Sequence, residues 1–595
     1  MASHFVDIGW MEKFSAAHTH PVSRRNLRAV IAVGLAALAS TAAFATVTDQ
    51  AQAATKPNIV VIMADDQRQD DMPVMTKLKA ALADTGTTFQ NSYVSYSLCC
   101  PSRTSFLTGQ FMHNHDITWN FWPEGGYFKF KHQSTNYDPS KNEYGGWGNI
   151  LPKWLQNSGY RTGLIGKYLN QTGEKDPSKG YADSGKAKPT EIPPGWSEWA
   201  GGVDPTTYSY YGYTLNVNKN VTPSNPTGKL IRYGSCERVT FANKPTKDPL
   251  AGCKVTSQKG KDGTQYQTDV EATYSEDFIK RNSDTRKRTG APFFLWVTPT
   301  APHTTTPTGA SEGLPAVPPN RYANLFATRA LPVWPAMDEA DVSDKPALDK
   351  NLAWFPRIGA GGKELAKRHY RGRLGAVKGV DDLVGRVVKT LKDNGQLNNT
   401  IIIYTSDNGW LLGEHRLVAQ KFFGFEPSIR VPLVISGPGF NNPANRRVVS
   451  EQAVNVDLAP TILQAAGATA GRPLDGVPLQ DLIANPSSWT NRSWAVETGP
   501  NPRSAYYSGV HNRRYHLEVI VGGGLPTRYE LYDLQADPNE MNSVAKDPRY
   551  ADVLEALKTQ AATLARCKGD GGVTSGGTTY PSCRDNPASF PEPKP

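Results

Sequence analysis

These 595 residues contain no internal repeat, and the 45 prolines and 53 glycines gather into no tract. A solenoid, a collagen-like rod and a low-complexity polymer are thereby excluded. Beyond residue 47 no apolar run approaches the roughly 20 residues that a spanning helix needs. The formal charge of +10 is small for the length and forms no basic stripe, so nothing supports a nucleic-acid partner. Cysteine is scarce as well, with six in all, and each one asks for a reason. What is present suits a loop-rich globular enzyme: 38% hydrophobic and 10% aromatic residues, in a chain longer than one core usually holds.

The first 53 residues read as a leader. Ser23-Arg24-Arg25-Asn26-Leu27-Arg28 precedes an alanine-rich apolar run over 29–47, and Ala51-Gln52-Ala53 supplies small residues for cleavage. This pattern predicts a twin-arginine signal peptide, a secreted or cell-envelope location, and no stable membrane association once it is removed. The competing reading is a membrane anchor, for which the run is short and weakly apolar. Cys236 and Cys253, 17 residues apart, and Cys567 and Cys583, 16 apart, predict two local disulfides of an oxidising compartment. The adjacent pair Cys99 and Cys100 needs another explanation.

Five short runs rich in Val, Ile, Leu or Phe predict buried strands at 58–63, 162–165, 293–298, 401–405 and 432–436. Amphipathic helices are predicted between them at 74–84, 150–157, 268–281 and 380–394. Strand and helix in alternation indicate an α/β fold, a large sheet covered by helices on both faces. Ligands bind such sheets beyond the carboxyl ends of the strands, where this sequence puts Asp65 and Asp66, Lys167, His303, and Asp407 and Asn408. Residues 171–265 read as an insertion at the site mouth. After residue 496 the texture changes to short alternating segments at 515–521 and 529–534 and a helix at 551–566, which predicts a small antiparallel sheet. The expected organisation is a catalytic domain over 56–495, a small-sheet subdomain over 496–567 and a tail over 568–595, loose unless Cys583 is bridged.

Asp65, Asp66, Asp407 and Asn408 are hard oxygen donors, which points to calcium or magnesium rather than zinc. Taken singly, Asp-Asp also reads as a helix cap and Asp-Asn-Gly as a turn. Cys99-Cys100-Pro101-Ser102-Arg103 with Thr108-Gly109 beyond it resembles the signature of the formylglycine-dependent sulfatases. That resemblance implies an alkaline-phosphatase-like mixed sheet, oxidation of Cys99 rather than Cys100 by a formylglycine-generating enzyme, and a sulfate ester as substrate. It also implies a cation held by Asp65, Asp66, Asp407, Asn408 and the modified Cys99. In the same family pattern Arg103 supports the nucleophile, Lys167 and Lys421 touch the sulfate, and His303 stands near the leaving oxygen. A phosphodiesterase or phosphonate monoester hydrolase of the same superfamily is the alternative, because a phosphoryl centre fits similar electrostatics.

One residue departs from the pattern. Many members have histidine two residues after the motif lysine, where this chain has Leu169, so proton acceptance falls to Asp407 or another histidine. His113, His115 and His415 are candidates for substrate contact or support. Within the family, Cys99-Cys100-Pro101, His113-Asn114-His115 and Gly166-Lys167-Tyr168-Leu169-Asn170 are most similar to N-acetylglucosamine-6-sulfatases, and the implied substrate is a sulfated carbohydrate. Trp119, Trp122 and Tyr127 are either a stacking surface for a sugar or part of the core.

Overall fold

The hydrophobic alternation within each predicted strand turns out to be split between two cores. Ile59, Val61, Met63, Phe294, Trp296, Ile401 and Ile403 enter one apolar cluster, while Val60, Ile62, Leu295, Val297, Ile402 and Tyr404 enter another. Successive side chains of a strand point to opposite faces, so continuous apolar runs mean a sheet buried on both sides. The computed structural model describes residues 56–594 apart from 136–146, 175–188, 234–264, 306–313, 350–355, 442–446, 491, 500–505, 523–524, 576 and 585–588. The leader and the Cys236–Cys253 pair lie outside the described residues.

The strands run β1 (Asn58–Ala64), β2 (Thr87–Tyr93), β3 (Arg161–Gly166), β4 (Glu198–Gly202), β5 (Tyr213–Asn218), β6 (Lys229–Tyr233), β7 (Phe293–Thr298) and β8 (Thr400–Ser406). A short ribbon follows, β9 (Leu411–Leu412) and β10 (Val418–Gln420), before β11 (Leu433–Ser436) and β12 (Arg447–Val454). Ten of these form one sheet in the order β12-β2-β11-β8-β1-β7-β3-β4-β5-β6. Its centre, β8-β1-β7-β3-β4, is parallel, and β5, β6 and β11 pair antiparallel to their neighbours. The register aligns Ala64 with Ser406, Ile62 with Val297 and Gly166 with Thr298. Four neighbouring strands therefore end at one edge.

Two expectations need correction. The segment 171–265 is not simply an insertion: β4, β5 and β6 extend the sheet, burying Trp199, Tyr213 and Leu215. Its abundance of Gly, Tyr and Lys masked that alternation. The helix expected at 380–394 spans Ala360–Asp393: its first half buries Ala366, Tyr370 and Leu374, but glycines and basic residues between them obscure the helical spacing. Gly372 and Gly375 are there for close approach: a side-chain carbon at Gly372 would lie 2.4 Å from the Ala316 carbonyl oxygen, and one at Gly375 would lie 2.7 Å from Pro318. Farther along, Val377, Val380, Val384 and Leu391 recur at helical spacing and enter the second cluster.

A four-stranded antiparallel sheet, β13 (Ser493–Thr498), β14 (Tyr506–Asn512), β15 (Tyr515–Gly522) and β16 (Leu525–Asp533), carries the helix Ala551–Leu564. Trp494, Leu517, Leu531 and Leu557 share a third cluster with Tyr93, Ile429 and Val454 of the main body. The tail is bridged, with a disulfide joining Cys567 and Cys583. Among the described residues no helix is long and apolar enough to cross a membrane.

The glycine contacts generate a prediction. Gly372→Ala should lower the denaturant midpoint, at a cost of about 1–3 kcal/mol from the clash with a backbone carbonyl. Gly361→Ala, where a side chain meets nothing within 4 Å, should be neutral or stabilising by up to about 1 kcal/mol. Similar effects at the two positions would remove the packing argument.

Candidate active site

Cys99 opens the helix Cys99–Thr108, every residue of which is buried. Leu98 enters it extended, and Gly109 closes it in the left-handed conformation, so one short helix is inserted whole beneath the carboxyl edge of the sheet. Its first turn brings Arg103 onto the face of Cys99. The Cys99 thiol donates to Asp65 Oδ1 at 3.5 Å, and the Lys421 ammonium reaches its sulfur at 2.8 Å. Cys100 points into the core, with its amide held by Asn120 Oδ1 at 2.9 Å. The two adjacent cysteines thus face different surroundings.

Asp65 and Asp66 follow β1 directly, and Asp407 and Asn408 follow β8. All four are fully buried. Lys167, leaving β3, donates to Asp65 Oδ2 at 2.6 Å. Arg103 donates through Nε to Asp407 Oδ2 at 2.8 Å and through Nη1 to the Lys167 carbonyl at 2.8 Å, with Nη2 at 3.6 Å from Asp65. Lys421 pairs with Asp66 Oδ1. Three acids thus meet three cations.

The electrostatics follow from burial and pairing. Burial alone would raise Asp65, but Lys167, then His303 and Arg103, overcome it and leave the carboxyl at about 2, below its ordinary 3.8. Asp66 is also lowered, because Lys421 and His303 outweigh its burial. The two lysines are raised: burial disfavours their charge, and Asp65 or Asp66 more than restores it. Burial first, and Asp65 second, push the Cys99 thiol up to about 12, so it rests protonated. An unmodified thiol here is a poor nucleophile.

His303 lies 3.6 Å through Nε2 from Asp66 Oδ2, and its Nδ1 donates to the Thr304 carbonyl at 2.6 Å. Burial lowers its pKa against the pull of Asp66 and Asp65, and the Nδ1 bond to the Thr304 carbonyl leaves Nε2 facing Asp66. Asp65, Asp66, Cys99 and His303 offer ligand atoms within 4.8 Å of one another. Asp66 Oδ2 and Asn408 Oδ1 are buried oxygens without a hydrogen-bond partner. An orphaned buried acceptor costs about 1–3 kcal/mol, which a bound cation would relieve. The unpartnered oxygens of Asp66 and Asn408 suit a hard cation, with Asp65, Cys99 and His303 gathered beside them. Both oxygens of Asp407 accept hydrogen bonds, from the Asp66 amide at 3.0 Å and from Arg103.

Other sequence candidates sit elsewhere. His113 is bound by Glu497 at 2.6 Å and by the Cys567 carbonyl at 2.9 Å, tying the site helix's neighbour to the tail. His115 meets Ser105 Oγ at 3.1 Å, and His415 meets Glu339 at 2.6 Å. Leu169 is core, so no second imidazole takes its place. Tyr127 is core as well. Trp119 does flank the site, stacking at 5.4 Å on Phe422, the residue after Lys421.

Two residues escaped the sequence reading. Tyr208 sets its ring 4.9 Å from the Lys167 ammonium and 5.0 Å from the His303 ring, with its hydroxyl held by Asn170 at 2.8 Å. Arg373, fully inside the long helix's buried face, donates to the Asp66 carbonyl and to Asp71 at 3.0 Å. Neither belongs to a local motif. Only the fold makes them neighbours of the site.

A sequence model described as Sulfatase matches residues 57–468, and one described as N-sulphoglucosamine sulphohydrolase, C-terminal, matches residues 413–566. The chain is 31% identical over 594 residues to an arylsulfatase of Volvox carteri, covering 92% of this chain and 79% of that one. It is 30% identical over 556 residues to the N-acetylglucosamine-6-sulfatase of Homo sapiens, covering 86% of this chain and 85% of that one. A solved structure in complex with its substrate D-glucosamine-2-N,6-O-disulfate shares the fold, with a TM-score of 0.61 at 20% identity over 85% of this chain and 97% of that one.

The depressed carboxyl has a consequence for acid stability. A group whose pKa is lowered on folding contributes stability that is present above its unfolded value and is lost as the pH falls through its folded value. For Asp65 that window runs from 3.8 down to about 2. Unfolding of the chelator-treated protein should therefore steepen over this range, and Asp65→Asn should flatten the slope. An unchanged slope in the variant would contradict the pairing described here.

Proposed function

This chain belongs to the sulfatase family, and from that premise we propose that it is an exported hydrolase of carbohydrate sulfate esters, acting on a 6-O-sulfate of the glucosamine type. The observation that carries the reading is the position of Cys99, at 2.8 Å from Lys421 and 3.5 Å from Asp65, over a floor of paired acids and cations. The similarity to N-acetylglucosamine-6-sulfatases supports the choice of sugar. Residues 1–53 are the proposed twin-arginine leader, 56–495 the catalytic domain and 496–567 the small-sheet subdomain. The proposed cofactor is one calcium ion.

In this reading a formylglycine-generating enzyme, drawing on an external oxidant, converts Cys99 before export: the CH2–SH group becomes an aldehyde and its sulfur is released. Hydrated formylglycine supplies a hydroxyl that attacks sulfur and a second that later expels sulfate, and a hard divalent cation supplies positive charge beside them. Asp65, Asp66, Asp407 and Asn408 would hold that cation. The chain's own residues do the rest. Lys421, in contact with Cys99, and Lys167, paired with Asp65 beside it, bind sulfate oxygens, placing positive charge where negative charge develops. Arg103 locks Asp407 and the Lys167 backbone, so the floor keeps its shape. His303 Nε2 handles the proton at the leaving oxygen.

Cys99→Ala should lower kcat by about a thousandfold or more while the protein still folds and binds cation, because the nucleophile is lost but Asp65, Asp66, Asp407 and Asn408 remain. Cys100→Ala should retain modification and most activity. Mass spectrometry that places the oxidised residue at Cys100, or an active enzyme with both thiols intact, would defeat the assignment.

Chelation should abolish turnover, and calcium should restore it better than zinc. Rates should be higher on N-acetylglucosamine 6-sulfate than on 2-sulfated monosaccharides, and higher on an aryl sulfate than on an aryl phosphodiester. The opposite order in the last pair would move the chain to phosphoryl chemistry.

A further inference from the structure

The loop between β8 and β11 carries Lys421 and concentrates backbone strain. His415, Arg416, Ala419 and Phe422 all adopt positive φ, with Phe422 at 84°. For an aromatic residue this conformation is unfavourable, and it persists only where the surroundings over-determine it. At Phe422 they do so from two directions. Its amide donates to the Ser97 carbonyl at 3.1 Å, two residues ahead of Cys99. Its carbonyl accepts from the Tyr507 hydroxyl at 2.8 Å, and Tyr507 is a buried residue of β14 in the four-stranded sheet.

The same sheet and the segment that follows it grip the next residues. Gly424 passes so close to Glu518 that a side-chain carbon there would lie 2.3 Å from its Oε1. The Glu426 amide donates to Glu540 Oε2 at 2.8 Å, and the Glu426 carboxylate pairs with His511 Nε2 at 2.9 Å. His516 Nδ1, 2.7 Å from Glu540 Oε1, orients that carboxylate. Burying these polar groups is costly. Apolar residues would suffice to hold a sheet in place, whereas hydrogen bonds aimed at one loop backbone fix its conformation.

We propose that Tyr507 is a positioning residue for Lys421: its hydroxyl holds Phe422 in the strained conformation that directs the preceding ammonium at Cys99 and Asp66. The inference rests on the role given to Lys421 in the proposed function. It makes the small sheet part of the catalytic apparatus, acting through one loop.

Tyr507→Phe removes the hydroxyl and keeps the ring. On an aryl sulfate it should lower kcat about tenfold, with KM changed less than about twofold and the thermal midpoint nearly unchanged. In a Phe422→Gly background, where positive φ carries no strain, the same substitution should cost less than about twofold. Equal losses in the two backgrounds, or no loss in the first, overturn the proposal. Hydrogen exchange over residues 417–426 reads the contact without turnover: it rises in Tyr507→Phe if the hydroxyl holds the loop and keeps its native rate if it does not. Should the native protein cleave no sulfate ester, the proposed function falls, and the exchange measurement still decides the tie between Tyr507 and the loop.

Discussion

The pairing of Asp65, Asp66 and Asp407 with Arg103, Lys167 and Lys421 is the interaction on which the rest of the site depends. Three carboxylates at the ends of two adjacent strands would repel one another, and in a buried place there is little water to screen them. Cations drawn from a helix, a neighbouring strand end and a distant loop neutralise them. Such pairs add little net stability once desolvation is counted, but they fix geometry, because moving one member leaves the other charged and alone. The two oxygens still unpartnered, on Asp66 and Asn408, set this floor apart from an ion-pair cluster in which every acceptor is satisfied.

That pairing is possible because β1 lies between β7 and β8 in parallel register. Parallel neighbours deliver their carboxyl ends to one edge, and the burial of both sheet faces leaves that edge as the place where loops can carry polar groups. The backbone there is strained where it serves the site. Asp66 takes positive φ directly after β1, as do Ala419 and Phe422 on either side of Lys421. The helix of Cys99 is the complementary element: it is buried along its length, so packing surrounds its first residue as well as its last.

The periphery is tied to the same centre. His113 and Asn114, just beyond the Cys99 helix, bind the carbonyl of Cys567, and the disulfide to Cys583 closes the tail at that point. The small sheet shares apolar residues with the main body through the third cluster and reaches the Lys421 loop with the Tyr507 hydroxyl and His511.

Much of this was legible in the sequence. Five apolar runs marked central strands, because a doubly buried strand has little choice of residue type. Cys99, Arg103, Lys167, His303 and the pairs Asp65-Asp66 and Asp407-Asn408 could be named because each sits in a short motif at a strand end or a helix start. Other features were not legible, since they arise between residues far apart in the chain. Tyr208 and Arg373 approach the site from elements with no motif, and Trp119 was separated from Tyr127 only by packing. The strands β4 to β6 were hidden in a stretch that reads as loop, and the first half of the long helix was hidden by glycines that face Ala316 and Pro318. The sequence by itself determined which side chains could do chemistry, since residue type and local spacing are written in it. Tertiary structure alone decided which of them share one charge-balanced floor, because that depends on strand order and register, which bring together atoms hundreds of residues apart.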